Sequence, residues 1–250
     1  MKKIFIILSL IVACIFFLYF FIQKKESTPK NILIVGTNAE YSPFTFVKNN
    51  TIVGFDIDII TQVCNLLDKK FITKDMPFDI LIPEIQRGSI DIIAAGMTPT
   101  KQRENEVLFS KCYFTGDPLV IITPKNKSLI NIEQLKNKNV IVNDGYTADL
   151  YLSKFNNINI IRLPNPATAF LALQSGRADA YVTAKSTVSS YFSQNDSKKY
   201  EITEMKNTEE KYALAISRRN ADLVPEINNI INSMIQDGTI EKLKEKWGLN

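Results

Sequence analysis

Phe78 to Arg103 reads FDILIPEIQRGSIDIIAAGMTPTKQR, a pattern that predicts a helix, a short strand, and a turn opening a second helix with an arginine in its first turn. Asp79 is suited to cap the first helix, Pro83 is tolerated in its early turns, and Gly88 supplies a left-handed stop. Ile90 to Ala95 reads as an apolar strand. Pro99 and Thr100 then start the next helix, whose first backbone N–H groups lack intrahelical partners and attract an anion. Arg103 lies close to those donors. Its planar fork matches a carboxylate through two parallel hydrogen bonds, and the Thr98 amide and hydroxyl add further donors. The same residues also read as an arginine on a solvated helix start, and the segment alone leaves both readings open.

Working outward, Ile32 to Val35 is a short apolar strand that ends in the turn GTNAEY, Gly36 to Tyr41. In open α/β sheets ligands gather at such C-terminal strand ends. Gly54 precedes a helix expected over Asp56 to Leu67, with Ile60, Val63, Cys64 and Leu67 on one face at helical spacing, a core face rather than a site. Short apolar segments continue at Leu119 to Ile122, Val140 to Val142, Ile158 to Leu163 and Ala178 to Thr183, alternating with helical patterns. The class is α/β. The tail from Pro225 to Trp247 predicts two helices separated by Asp237-Gly238, with Pro225 in a first turn, Thr239 as an N-cap, and a packing stripe of Ile227, Ile230, Ile231 and Met234. No low-complexity linker appears, so two lobes would be joined by strands crossing between them, with Pro118 to Thr123 and Lys211 to Ile216 as the candidates.

Composition narrows the chemistry. The chain has 250 residues, ample for a sizeable core, and a net charge of +4. Without Lys2 and Lys3 its basic residues exceed the acidic ones by only two, with no block of like charge, which argues against a nucleic-acid surface. Histidine is absent. That removes the commonest general base, the Ser-His-Asp and Cys-His nucleophile arrangements, and the usual zinc ligands. No metal or cofactor is expected. Cys64 and Cys112 either pair or remain free, and a free thiol in the core suits Cys64 best.

Residues 1–25 join Lys2-Lys3 to an apolar run from Ile4 to Ile22 followed by Lys24-Lys25. This is a secretory signal that places the rest of the chain outside the cytoplasm. The run is also long enough for an uncleaved anchor. Cys14 stands in a loose lipoprotein-like motif whose aromatic continuation argues against lipidation.

Several motifs occurring together resemble a known family: GTNAEYSPFTF, GFDIDII, the Phe78 to Arg103 block, FSKCYF, LKNKNVIVNDGYTA, ALQSGRADA and DGTIEKLKEKWG. In order and spacing they are similar to the polar amino-acid-binding extracytoplasmic receptors of ATP-binding-cassette importers. The resemblance implies a two-lobed periplasmic-binding-protein fold that closes on its ligand about two hinge-strand crossings. Residues 30–118 and 215–250 would form one lobe and residues 119–214 the other. It implies a monomer without enzymatic activity that delivers its ligand to an inner-membrane permease.

Position by position, the resemblance gives Arg103 and Thr98 the ligand α-carboxylate, Tyr41 and Phe78 its carbon chain, and Ala95 and Gly96 backbone contacts. Gly145, Tyr146 and Thr147 match a loop reaching the carboxylate on closure. Tyr41 and Phe78 also read as core. The departures bear on the ligand. Ala184 stands where the family commonly has an aspartate for the α-ammonium, Asn38 where receptors for cationic side chains often have one, and Tyr146 replaces a small residue. Asp144 is a candidate to take over the ammonium. The expectation is therefore a polar, uncharged amino acid, with a carboxylate lacking the amine as the alternative. A periplasmic dehydratase on the same scaffold would need a pocket carboxylate of raised pKa, for which Glu40 and Asp144 are the candidates.

Overall fold

The computed structural model describes residues 31–192 and 198–249. The expectations for residues 1–25, including Cys14, lie outside the described residues. The chain divides into Met1–Ile32 and Leu33–Asn250, and the second of these units holds the fold. No helix among the described residues is long and apolar enough to cross a membrane.

In chain order the first part comprises β1 (Ile32–Thr37), β2 (Glu40–Tyr41), β3 (Thr45–Lys48), β4 (Thr51–Val53), α1 (Phe55–Leu66), β5 (Lys70–Asp75), a 3₁₀ turn (Phe78–Ile80), α2 (Leu81–Arg87), β6 (Ile92–Ile93), α3 (Lys101–Glu104), β7 (Leu108–Phe109) and β8 (Phe114–Asp117). Then come β9 (Leu119–Pro124), β10 (Asn139–Asn143), α4 (Thr147–Leu152), β11 (Asn159–Leu163), α5 (Pro166–Gln174), β12 (Ala180–Ala184), α6 (Lys185–Tyr191) and β13 (Tyr200–Glu204). The chain ends with β14 (Glu210–Tyr212), β15 (Ala215–Ile216), α7 (Leu223–Gln236) and α8 (Thr239–Trp247).

Two five-stranded sheets organise these elements in two lobes. One has the order β5-β1-β6-β15-β7 and the other β11-β10-β12-β9-β13. β1 runs parallel to β6 while β15 returns antiparallel beside it. In the second sheet β10 is parallel to both β11 and β12, and β9 is antiparallel to β12. Each sheet has its own apolar filling: Val35, Ile59, Ile60, Val63, Leu81, Ile92, Ile227 and Ile231 against the first, and Val140, Val142, Leu152, Ala180 and Val182 on one face of the second. The faces read from helical spacing are buried as expected, except that Leu67 and Ile230 pack only partly against the core.

The chain passes from the first sheet to the second through β8 and returns through β14, which pair antiparallel. The crossings therefore fall a few residues earlier than the expected Pro118 to Thr123 and Lys211 to Ile216, because Leu119–Pro124 already belongs to the second sheet and Ala215–Ile216 to the first.

Local expectations need three corrections. Asp79 caps nothing: it lies inside the 3₁₀ turn, and Ile80 occupies the cap position of α2 without a side-chain bond. The strand expected over Ile90 to Ala95 is reduced to Ile92–Ile93, since the backbone turns at Ala95. Thr239 is the first residue of α8, with Gly238 before it in the left-handed conformation. Cys64 and Cys112 are both free, Cys64 buried and Cys112 partly so. Gly88 at φ 88° ends α2 as expected, and Thr100 caps α3 by accepting from the Arg103 amide.

Candidate functional site

The turn after β6 is pinned from below. The Thr37 hydroxyl, at the C-terminal end of β1, donates to the Ala94 carbonyl at 2.6 Å. Asp56, in the first turn of α1, accepts from the Gly96 amide through Oδ2, and the same oxygen accepts from the Tyr113 hydroxyl at 2.9 Å. Gly96 sits at φ 59°, and a Cβ there would lie 2.6 Å from the Tyr41 ring, so only glycine lets the ring cover this turn. Asp56 is fully buried with Oδ1 unpartnered, and burial raises its pKa to about 7.

From this turn the chain runs to Arg103, which is 4% exposed. Its guanidinium donates to the Thr98 carbonyl at 2.8 Å and to the Gly145 carbonyl, in the loop after β10, at 2.9 Å. It lies over the Phe78 ring, 5.2 Å from the centroid. Among the described residues no carboxylate comes within 4.0 Å of it. Burial lowers its pKa to about 10, opposed by Glu210 and Glu106, so the group stays cationic at neutral pH. Arg103 is a buried cation held by neutral carbonyls rather than the solvated arginine of the alternative reading.

The loop after β10 meets the first lobe at several points. The Tyr146 hydroxyl donates to Asn38 Oδ1 at 2.8 Å, while the Asn38 amide donates to the Met76 carbonyl at 3.2 Å. The Tyr146 ring lies 4.5 Å from that of Phe78 and 5.5 Å, edge-on, from that of Tyr41. Tyr41 and Phe78 are 3% and 6% exposed and belong to the buried cluster that contains Tyr146, so they pack as core and border this contact at once. At the rim Asn165 donates to Glu40 at 3.1 Å and the Tyr191 hydroxyl to the Glu40 carbonyl at 2.9 Å.

The structure therefore gathers Asn38, Tyr41, Phe78, Gly96, Thr98, Arg103 and Tyr146 into one connected group, with Ala95 fully buried in the turn itself. Thr147 and Ala184, at the ends of α4 and β12 that face the first lobe, line a cavity of about 10 Å³ together with Asn143, Tyr146 and Glu210. That volume holds at most one water and is far below the ~300–1,000 Å³ of a small-molecule pocket. No small molecule fits this space as it stands.

Asp144 is not brought to this group. Asn143, the last residue of β10, is buried and accepts from the Tyr181 hydroxyl, whereas Asp144 falls in the turn that follows and is exposed. Glu40 is exposed as well, so neither carboxylate named for acid–base work has the required buried setting.

Sequence reasoning missed the buried carboxylates of the hinge strands. Glu210 on β14 is 6% exposed and Asp117 on β8 is 4% exposed. The Tyr212 hydroxyl stands between them, 2.9 Å from Glu210 Oε2 and 2.8 Å from Asp117 Oδ2, and 2.9 Å from the Tyr41 hydroxyl. Thr98 donates to Glu210 Oε1 at 3.4 Å, and the Thr147 side chain also bonds Glu210. Asp117 accepts from the Ser186 amide at 2.9 Å and from its hydroxyl at 2.5 Å, next to Ala184. Burial raises the pKa of Glu210 to about 7 and raises that of Asp117. The signal available in the sequence was the alternation Glu210-Lys211-Tyr212, which puts the glutamate in phase with a buried tyrosine.

Residues 33–250 match the model of the bacterial extracellular solute-binding proteins, family 3. The chain is 29% identical to the arginine-binding extracellular protein ArtP of Bacillus subtilis, over 96% of each chain. It is 32% identical to the ABC transporter glutamine-binding protein GlnH of the same organism, over 80% of this chain and 74% of that one. An ancestral arginine-binding protein solved with arginine bound superposes with a TM-score of 0.81 at 36% identity, covering 87% of this chain and 98% of the other.

Proposed function

This chain belongs to the bacterial extracellular solute-binding proteins of family 3, and from that premise we propose that it captures a polar, uncharged α-amino acid outside the cytoplasm and passes it to the permease of an ABC importer. Arg103 carries the reading. A guanidinium that is buried, cationic and without a carboxylate partner among the described residues is poised to accept one from a ligand. The relatives named for arginine and glutamine bind molecules bearing that group.

The preference for an uncharged side chain rests on Asn38. An amide that both donates to Met76 and accepts from Tyr146 supplies no charge for a cationic ligand. In the proposed arrangement Tyr41 and Phe78 cover the ligand's carbon chain, Thr98 and the turn at Ala95 and Gly96 meet its polar head, and Tyr146 and Thr147 close over it from the second lobe. The assignment of residues 30–118 and 215–250 to one lobe and residues 119–214 to the other is supported by sheet membership. Closure about β8 and β14 works as a selector because only ligands that bind the closed form better than the open one shift the balance. The chain acts as a monomer, exported by its N-terminal segment.

A thermal-shift screen of the full-length chain against the twenty amino acids and a set of small carboxylates tests this, since a ligand binding only the native state raises the midpoint with its occupancy. A clear shift with one uncharged polar amino acid is the expected result. Shifts confined to cationic amino acids would refute the Asn38 argument, and none with any amino acid would refute the function.

A further inference from the structure

We infer that Glu210 is the residue that binds the α-ammonium of the ligand; the inference rests on the site being an α-amino-acid pocket and names a specificity determinant within it. Its basis is a proton count. The Tyr212 hydroxyl carries one hydrogen and stands 2.8 Å from Asp117 Oδ2 and 2.9 Å from Glu210 Oε2. It can donate to only one of them. Asp117 has further donors in the Ser186 amide and hydroxyl and caps the start of α6. Among the described residues Glu210 has besides only the Thr98 hydroxyl at a long 3.4 Å and the Thr147 side chain. No lysine or arginine lies within 4.0 Å of either carboxylate among the described residues. A buried carboxylate in that position must hold a proton or meet a cation from elsewhere. An ammonium brings three donors and a full charge.

Placement supports the same reading. Glu210 lines the small cavity whose other wall is Ala184, with Thr147 and Tyr146 beside it. Thr98 links the two charged groups: its carbonyl accepts from Arg103 at 2.8 Å and its hydroxyl donates toward Glu210 at 3.4 Å. A cation and an anion bridged by one residue match the carboxylate and ammonium of an α-amino acid, which one carbon separates. Arg103 is the independent half of this pair, a buried guanidinium with no carboxylate within 4.0 Å among the described residues, bonded to the Gly145 carbonyl one residue before Tyr146, which lines the cavity. Among the described residues the charged and titratable groups around Glu210 are Asp117, Arg103, Tyr212, Tyr41 and Tyr146, and burial together with Asp117 favours its protonated form in the absence of a cation.

The test is calorimetry on the full-length chain at pH 7 with two matched pairs of probes: L-glutamine against 4-carbamoylbutanoate, and L-arginine against 5-guanidinopentanoate, the second of each lacking only the α-amine. The wild type should prefer one amino acid to its amine-free counterpart by about 100-fold, on the scale of a buried charge pair broken on one side. Glu210→Gln should erase at least ten-fold of that preference while changing affinity for the amine-free probe less than three-fold. Adding Ala184→Asp to Glu210→Gln should restore the preference. A Glu210→Gln protein that discriminates like the wild type overturns the inference and leaves the function standing. A wild type that binds no amino acid, here or in the thermal-shift screen, overturns both; where the screen selects another amino acid, that one and its amine-free counterpart are the probe pair.

A measurement needing no variant decides the case if Glu210→Gln does not fold. At pH 6.5, in buffers of different ionisation enthalpy, binding of the preferred amino acid should release a fraction of a proton that its amine-free counterpart does not. Equal release by both would refute the assignment.

Discussion

Removing the Asp56 carboxylate tests how the fold holds the site. Oδ2 accepts from the Gly96 amide and the Tyr113 hydroxyl, so Asp56→Ala strands two buried donors. Each costs about 1–3 kcal/mol, giving a loss of about 4 kcal/mol, or a fall in melting temperature of roughly 8–16 °C for a fold of this size. Asp56→Asn keeps an acceptor for both donors and places its amide where Oδ1 already lacks a partner. It should behave like the protonated wild type.

The pH dependence separates the two variants further. Burial raises the Asp56 pKa to about 7, above the unfolded value near 3.9. The folded state therefore binds the proton more tightly, its contribution is complete below about pH 4, and it is lost as pH rises through 7. The loss is on the order of 4 kcal/mol at about 1.4 kcal/mol per pH unit. Glu210 and Asp117 act in the same direction. Thermal melts of the full-length chain at pH 5 and pH 8 should show the wild type less stable at pH 8, and Asp56→Asn should flatten that difference. An Asp56→Asn slope equal to that of the wild type, or an Asp56→Ala loss under about 1 kcal/mol, would refute the reasoning.

Arg103→Ala should weaken binding of any amino acid the chain takes by at least about 3 kcal/mol, more than 100-fold in a titration, because a buried ligand carboxylate is left without its counter-charge. Gly96→Ala should destabilise the protein by about 1–3 kcal/mol in a denaturant melt, since it adds a Cβ 2.6 Å from Tyr41 at φ 59°. In native thiol labelling followed by peptide mapping, Cys112 should react well before Cys64. Cys112 is only partly buried, whereas Cys64 is 1% exposed with its pKa raised to about 11.

Local periodicity and turn chemistry carried much of the architecture. Short apolar runs located β1, β9, β10 and β12, and the i, i+3, i+4 stripes located α1 and α7, since those signals are burial patterns written into the chain. Asp79 and Thr239 show where local rules fail: each has a good capping side chain, but the backbone begins its turn one or more residues away, a choice set by packing. The candidate site divides in the same way. Arg103, Thr98 and Gly96 share one turn and could be read together. Glu210 and Asp117 lie far apart in sequence and meet across the β8–β14 pair, where the Tyr212 hydroxyl bridges them, so no local pattern joins them. Asp144 is close in sequence to the loop at Tyr146, but it falls in the exposed turn after β10.

The most direct test of the account is a crystal structure of the full-length chain with L-glutamine. The ligand α-carboxylate should lie within hydrogen-bond distance of the Arg103 guanidinium, its ammonium on Glu210, and Tyr41, Phe78 and Tyr146 around its carbon chain. A ligand bound elsewhere, or held with its carboxylate away from Arg103, would contradict it.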